Sequence, residues 1–243
     1  MTRCLGAVLV LSLVLGVGAA PAAPRSLRVL FVGNSLTTTN DLPAYVAGLA
    51  GASGRKLEYR TIAVGGYSLE DHWHLGEAQK ALASGSWDVV VMQQGPSALP
   101  ESQVNLRAWA MRFADEARSK GTRPALLTVW PESYRQQALR DVILSYRRAA
   151  GAAGAELLPA GVAWQEAWRC DRRVPLYGGD GFHPSPLGTY AAALVVYGRL
   201  FRAPLRSPSL ELVGVPARTS RLLQATAAWA LGRTVPRARR CGR

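Results

Sequence analysis

Three short runs in this chain are apolar almost end to end: residues 27–32 (Leu-Arg-Val-Leu-Phe-Val), 88–92 and 125–129. A strand with one wet face alternates polar and apolar side chains. Continuous apolar character means that both faces are covered, the usual state of strands in parallel sheets. Two more strand-length runs, at 57–64 and 155–158, bring the candidates to five. Stretches with helical spacing separate and follow them, at 41–52, 69–84, 102–120, 133–152, 162–169, 186–201 and, behind Pro216, 216–231. This alternation implies a parallel sheet wound right-handedly with helices on both faces. The expected fold class is α/β, a three-layer α/β/α sandwich around a five-stranded parallel sheet.

The amino terminus reads differently. Met1-Thr2-Arg3 is a short positive start, Leu5 to Val17 an apolar core, and Gly18 to Ala23 a small-residue region. That is the layout of a secretory signal peptide, with cleavage after Ala20 or Ala22. An uncleaved anchor is the rival reading, but the run is short against the ~20 residues that span a bilayer. Cys4 precedes the apolar core, which argues against lipid attachment. The expected organisation is a signal peptide at 1–23, one domain at 24–207, and a C-terminal helix and basic tail at 208–243, packed on the domain or trailing it. The mature protein is then secreted or periplasmic, with no stable membrane anchor. Export leaves Cys170 and Cys241 either as a disulfide or as two separate thiols.

Net charge is +13, from 29 Lys and Arg against 16 Asp and Glu, with a concentration over residues 237–243. Such charge fits either an anionic contact or simply a solvated basic tail in an arginine-rich protein. No interleaving of basic and aromatic residues accompanies it, so nucleic acid is not an expected partner. The sequence carries no signal for oligomeric state.

Open parallel sheets bind ligands beyond the carboxyl ends of their strands, where strand order reverses. Ser35 follows the first strand in Gly33-Asn34-Ser35-Leu36-Thr37, Gly65-Gly66 follows the second, and Gln93-Gln94-Gly95 the third. All three fall at the same sheet edge. Near the other end of the chain, Asp180-Gly181-Phe182-His183-Pro184 offers a carboxylate and an imidazole three residues apart. Ser35, His183 and Asp180 together are the residue types needed for acyl transfer through a covalent ester. Ser35 could instead serve as a helix cap, and His183 as a solvent-exposed loop residue. The remaining two histidines, His72 and His74, sit two apart on a predicted helix and face different ways. A shared metal is not expected there, and they read as surface or partly buried packing residues, with a pocket-rim role open for His74.

These segments resemble, in chain order over about residues 30–200, the SGNH or GDSL-type hydrolases. The resemblance implies a flavodoxin-like α/β/α sandwich. Gly33-Asn34-Ser35-Leu36 is similar to the family's first block, with Ser35 as nucleophile and Asn34 where Asp is usual. Gly65-Gly66-Tyr67-Ser68 resembles the second block, which implies that the Gly66 backbone N–H meets the oxyanion. Asp180-Gly181-Phe182-His183 matches the last block, with Asp180 and His183 as acid and base. Further segments, such as Asn40-Asp41-Leu42-Pro43 and His183 to Tyr190, resemble a bacterial exported branch of little defined function. The third block departs from the pattern: Gly-x-Asn is replaced by Gln93-Gln94-Gly95. Gln94, or next to it Gln93, is the expected side-chain donor to the oxyanion beside the Ser35 N–H, unless both glutamines only satisfy strand-end backbone groups.

The implied activity is an exported serine esterase acting on small or carbohydrate-linked acyl esters such as acetyl groups. No cofactor and no metal is expected, and the expected partner is a small-molecule or carbohydrate ester. Two alternatives share the residues: an O-acyltransferase that passes the acyl group to a sugar, and a non-catalytic binding module that kept the fold.

Overall fold

A computed structural model describes residues 25–207, 211 and 214–241. The signal-peptide segment at 1–23 lies outside the described residues, as does part of the basic tail.

Five strands, β1 (Ser26–Gly33), β2 (Lys56–Ala63), β3 (Val89–Met92), β4 (Arg123–Leu127) and β5 (Glu156–Leu158), form one sheet in the order β2-β1-β3-β4-β5. Every pairing is parallel. The three continuous apolar runs became the three central strands, and β3 is buried at all four positions. β2 forms an edge and buries only Leu57. Its charged residues keep that edge wet: Glu58 pairs with Lys56 at 2.5 Å and with Arg28 of β1 at 3.7 Å, which discourages strand addition from another chain.

The helices are α1 (Ser35–Thr38), α2 (Leu42–Ala52), α3 (Leu69–Leu75), α4 (Glu77–Ser84), α5 (Pro100–Ser119), α6 (Leu139–Ala153), α7 (Ala160–Cys170), α8 (Pro186–Leu200), α9 (Ala217–Ala230) and α10 (Arg237–Cys241). On one side α2 and α7 pack on α8, and α9 covers α7 and α8; on the other, α5 packs on α3, α4 and α6. Helix α8 is the most buried, because residues 190–196 carry almost no polar side chain. Among the described residues, no helix is long and apolar enough to cross a membrane.

Two predicted helices are each divided. The 69–84 stretch breaks at Gly76, whose φ of 80° ends α3 and begins α4; only glycine takes that left-handed conformation at little cost. The 133–152 stretch starts as a 3₁₀ turn, Ser133–Ala138, with Arg135 off helical geometry, and becomes α-helical only at Leu139. Strand β4 begins at Arg123 rather than Ala125, so Pro124 lies inside the ladder opposite Val90.

The carboxyl end of the chain is tied down. Cys170 at the end of α7 and Cys241 in α10 form a disulfide. Beside it, Arg240 pairs with the buried Glu166 at 2.6 Å and covers the Trp229 ring. The tail is therefore not wholly solvated, because a carboxylate as buried as Glu166 requires a cationic partner.

Sheet register brings the strand ends level. Gly33 is opposite Ala63, Val32 opposite Met92, and Met92 opposite Leu126. The residues just beyond β1, β2 and β3 therefore emerge at one edge. Strand order reverses between β1 and β3, and that crevice holds the candidate site.

Candidate active site

Ser35 opens α1, and its position is set by Asn34 and Gln93. The Asn34 side-chain oxygen caps α1 by accepting from Leu36 N at 3.1 Å and also accepts from Gln93 Nε2 at 2.9 Å. Gln93 Oε1 in turn accepts from Asn34 N at 3.0 Å and from the Thr37 hydroxyl at 2.8 Å. The turn after β1 is thus bolted to the end of β3. Gly33 is required there, since a Cβ would lie 2.5 Å from Gln93 Oε1. Asn34 Nδ2 donates to Tyr67 O at 3.0 Å. An ionised aspartate accepts only, so asparagine at this position adds a tether to the segment after β2.

His72 supports the same turn from behind. Its ring is fully buried, and Nε2 donates to Gly33 O at 2.6 Å. This corrects the expectation of a surface or partly buried residue: the helix face carrying His72 lies against the end of β1. Nδ1 is buried with no hydrogen-bond partner among the described residues. Burial lowers the tendency of the ring to take a proton, against the smaller opposing pull of Gly33 O and Asp71. His74 is exposed, 3.9 Å from Glu70 and edge-on to Trp109.

His183 comes from the loop between α7 and α8. Asp180 Oδ1 accepts from the backbone N–H groups of Phe182 at 3.0 Å and His183 at 2.9 Å, closing a tight turn. Its other oxygen receives His183 Nδ1 at 2.5 Å. These bonds, that of the imidazole first, hold the Asp180 carboxyl down at about 2. With Nδ1–H committed to Asp180, Nε2 presents its lone pair, and the Ser35 hydroxyl lies 2.9 Å from it. The two segments, 148 residues apart in sequence, therefore meet through Ser35, His183 and Asp180.

Several residues to which the sequence assigned no such positioning role hold this loop in place. Asn40 Nδ2 donates to Pro184 O and to the Thr189 hydroxyl. Trp130 Nε1 donates to Phe182 O, Tyr177 donates to Pro131 O, and Ser133 N donates to Gly181 O. Trp130 itself is stacked flat on Trp164 at 3.5 Å. Only the polar tips of these aromatics distinguish them from ordinary core, and sequence does not show where the tips point.

The two glutamines have separate roles. Gln93 spends both N–H groups inside the protein, on Asn34 Oδ1 and on Gln94 O. Gln94 Oε1 accepts from Leu69 N at 3.1 Å, whereas its Nε2 has only Asn105 Oδ1, at 3.5 Å. Gln94 and Gly66 line one cleft. Buried Tyr146 fixes the Gln94 backbone, accepting from its N–H at 3.2 Å and donating to its carbonyl at 2.5 Å. Gln94 is accordingly the glutamine with a donor to spare.

No protein-family model matches the chain, and no curated protein matches it. Solved structures do. A protein from Slackia heliotrinireducens assigned to the SGNH hydrolases is 30% identical, with a TM-score of 0.60 over 71% of this chain and 97% of that one. A DUF4886 family protein from Bacteroides uniformis superposes with a TM-score of 0.73 over 87% of this chain and 97% of that one, at 21% identity. An acetyl xylan esterase, AlAXEase, shares the fold at 15% identity, with a TM-score of 0.60 over 72% of this chain and 100% of that one. With a 30% identical relative matched over almost its whole length, the chain belongs to the SGNH (GDSL-type) family of ester hydrolases.

Proposed function

We propose that this protein is an exported serine esterase that cleaves small or carbohydrate-linked acyl esters through an acyl-enzyme. The observation that carries the reading is the Ser35 hydroxyl at 2.9 Å from His183 Nε2, with Nδ1 of the same ring on Asp180. In the first step His183 Nε2 takes the Ser35 proton as Oγ bonds to the ester carbonyl carbon. The oxyanion is met by the Ser35 and Gly66 backbone N–H groups and by the Gln94 amide. Collapse breaks the bond to the alcohol oxygen, which receives the proton from His183, and Ser35 is left acylated. Water then gives a proton to His183 and attacks the acyl carbon; release of the acid returns the proton to Ser35. Asp180 stays ionised throughout and stabilises the imidazolium.

Export is supported by the leader-like residues 1–23 and by the Cys170–Cys241 disulfide, a bond that persists in oxidising compartments. Cell fractionation with N-terminal sequencing of the recovered protein tests it; an intact Met1 in the cytosolic fraction sinks it. For the chemistry, Ser35→Ala is expected to abolish hydrolysis of a short p-nitrophenyl ester while circular dichroism stays unchanged. A fluorophosphonate is expected to label the parent protein at Ser35. Comparable turnover in the variant removes Ser35 from the nucleophile role.

A further inference from the structure

The Gln94 side chain, just beyond β3, is held by two helices that meet beside it. Gln94 is buried, only 6% exposed. Leu69, in the first turn of α3, donates its backbone N–H to Gln94 Oε1 at 3.1 Å. Asn105, on α5, presents Oδ1 to Gln94 Nε2 at 3.5 Å. Asn105 is oriented in turn by Glu70, the residue after Leu69, whose Oε2 accepts from Asn105 Nδ2 at 2.5 Å. The other Glu70 oxygen lies 3.9 Å from His74, too far for a hydrogen bond. Leu69, Gln94, Asn105 and Glu70 thus form a short polar chain that begins and ends on α3. The reaction steps given above use neither Asn105 nor Glu70.

We propose that Asn105 and Glu70 are positioning residues that keep the donor end of the Gln94 amide turned toward the oxyanion. The inference rests on the esterase reading above, in which that amide meets the oxyanion, and adds what holds it there. An amide turned end for end keeps its shape, but it would aim a carbonyl oxygen at the developing negative charge and repel it. Both ends of the polar chain admit one polarity only. A backbone N–H only donates, so Gln94 Oε1 faces Leu69. A carboxylate only accepts, so Asn105 Nδ2 faces Glu70 and Asn105 Oδ1 is left for Gln94 Nε2. Glutamine needs this restraint more than asparagine does, because it has one more rotatable bond and a broad terminal torsion. The long 3.5 Å contact suits the role. It stops Nε2 on one side without gripping it, and the second N–H of Nε2 stays free for the oxyanion. The bond from Asn105 to the Glu70 carboxylate is charge-assisted and therefore the firmer of the two.

The test is a double-mutant cycle read in kcat for p-nitrophenyl acetate. In the parent protein Asn105→Ala is expected to lower kcat roughly fivefold to twentyfold, with KM changed by less than about twofold. Glu70→Ala should cost less, roughly threefold, and Glu70→Gln, which keeps an oxygen able to accept from Asn105, should restore most of that loss. In a Gln94→Ala background, Asn105→Ala and Glu70→Ala should each change kcat by less than about twofold, since the amide they position is gone. General damage to the structure would lower kcat in both backgrounds alike, so the vanishing of the effect separates positioning from packing. No loss in the parent background, or the same loss in both, overturns the positioning roles and leaves the esterase standing. Full kcat in Gln94→Ala overturns Gln94 as a donor and the positioning roles with it, while turnover that depends on Ser35 still upholds the nucleophile. A parent protein that neither hydrolyses the ester nor takes a fluorophosphonate overturns the esterase reading as well.

Discussion

The side-chain amide of Asn40 donates to the Pro184 carbonyl at 2.8 Å, joining the turn after Ser35 to the residue after His183 across 144 positions of chain. The same amide donates to Thr189 at 3.0 Å. Asn40 has a φ of 58°, a left-handed conformation that asparagine tolerates and glycine takes freely. Asn40→Gly therefore removes the two bonds and keeps the backbone. Its stability cost is expected to be about 1–2 kcal/mol. The fall in kcat should be larger in proportion, roughly tenfold or more, because small displacements of a catalytic base are costly. Urea unfolding and ester hydrolysis measured on one preparation check both. Unchanged kcat would show that the His183 loop holds its place without Asn40.

Gln93 and Gln94 are adjacent, yet opposite outcomes are expected on truncation. Gln94→Ala should lower kcat about 10²–10³-fold, the signature of a lost oxyanion donor, with a smaller stability loss of about 1 kcal/mol because among buried groups only the Leu69 N–H loses its partner. Gln93→Ala strips partners from Asn34 N, Asn34 Oδ1 and the Thr37 hydroxyl. Its main effect should be destabilisation of about 1–3 kcal/mol, read from urea midpoints. Equal kinetic losses with intact stability in both variants would contradict this division.

His72 makes stability depend on pH in a stated direction. In the unfolded chain a histidine takes a proton near its ordinary value of about 6.5. Buried His72 resists protonation until lower pH. Between those two values the unfolded state binds more protons, so stability rises with pH and is lost as pH falls below about 6.5. The urea midpoint is expected to be lower at about pH 5 than at about pH 8, and His72→Gln should flatten that difference relative to the parent. An unaltered pH dependence in the variant would mean that other groups account for it.

The Cys170–Cys241 disulfide closes a separation of 71 residues. For a loop of that length, chain entropy puts its contribution at ~4 kcal/mol. Replacing both cysteines by serine should lower the unfolding midpoint markedly under oxidising conditions, while activity at low temperature persists, because the Ser35 edge draws no residue from α10. Equal stability of parent and double variant would show that the Arg240–Glu166 pair alone secures the tail.

The layer order was legible in the chain because burial writes itself into composition. Residues 27–32, 88–92 and 125–129 are apolar at nearly every position since both faces of β1, β3 and β4 are covered over most of their length, and no helix period fits runs so short. The reactive residue types were legible too, because Ser35 follows a strand end and the spacing of Asp180 and His183 fits a single tight turn. Helix ends were less so: Gly76 reads as an ordinary helix interruption until its left-handed φ is seen. What sequence could not decide was which polar atom faces which. Gln93 and Gln94 are the same residue type at consecutive positions, and only the approach of Asn34 to one and of Leu69 and Asn105 to the other separates bracket from free donor. The meeting of Ser35 with His183 was likewise decided by tertiary structure. Hydrophobic burial is non-directional and leaves its mark along the chain, whereas hydrogen bonds between residues far apart in sequence are fixed by angles and distances that only the folded molecule sets.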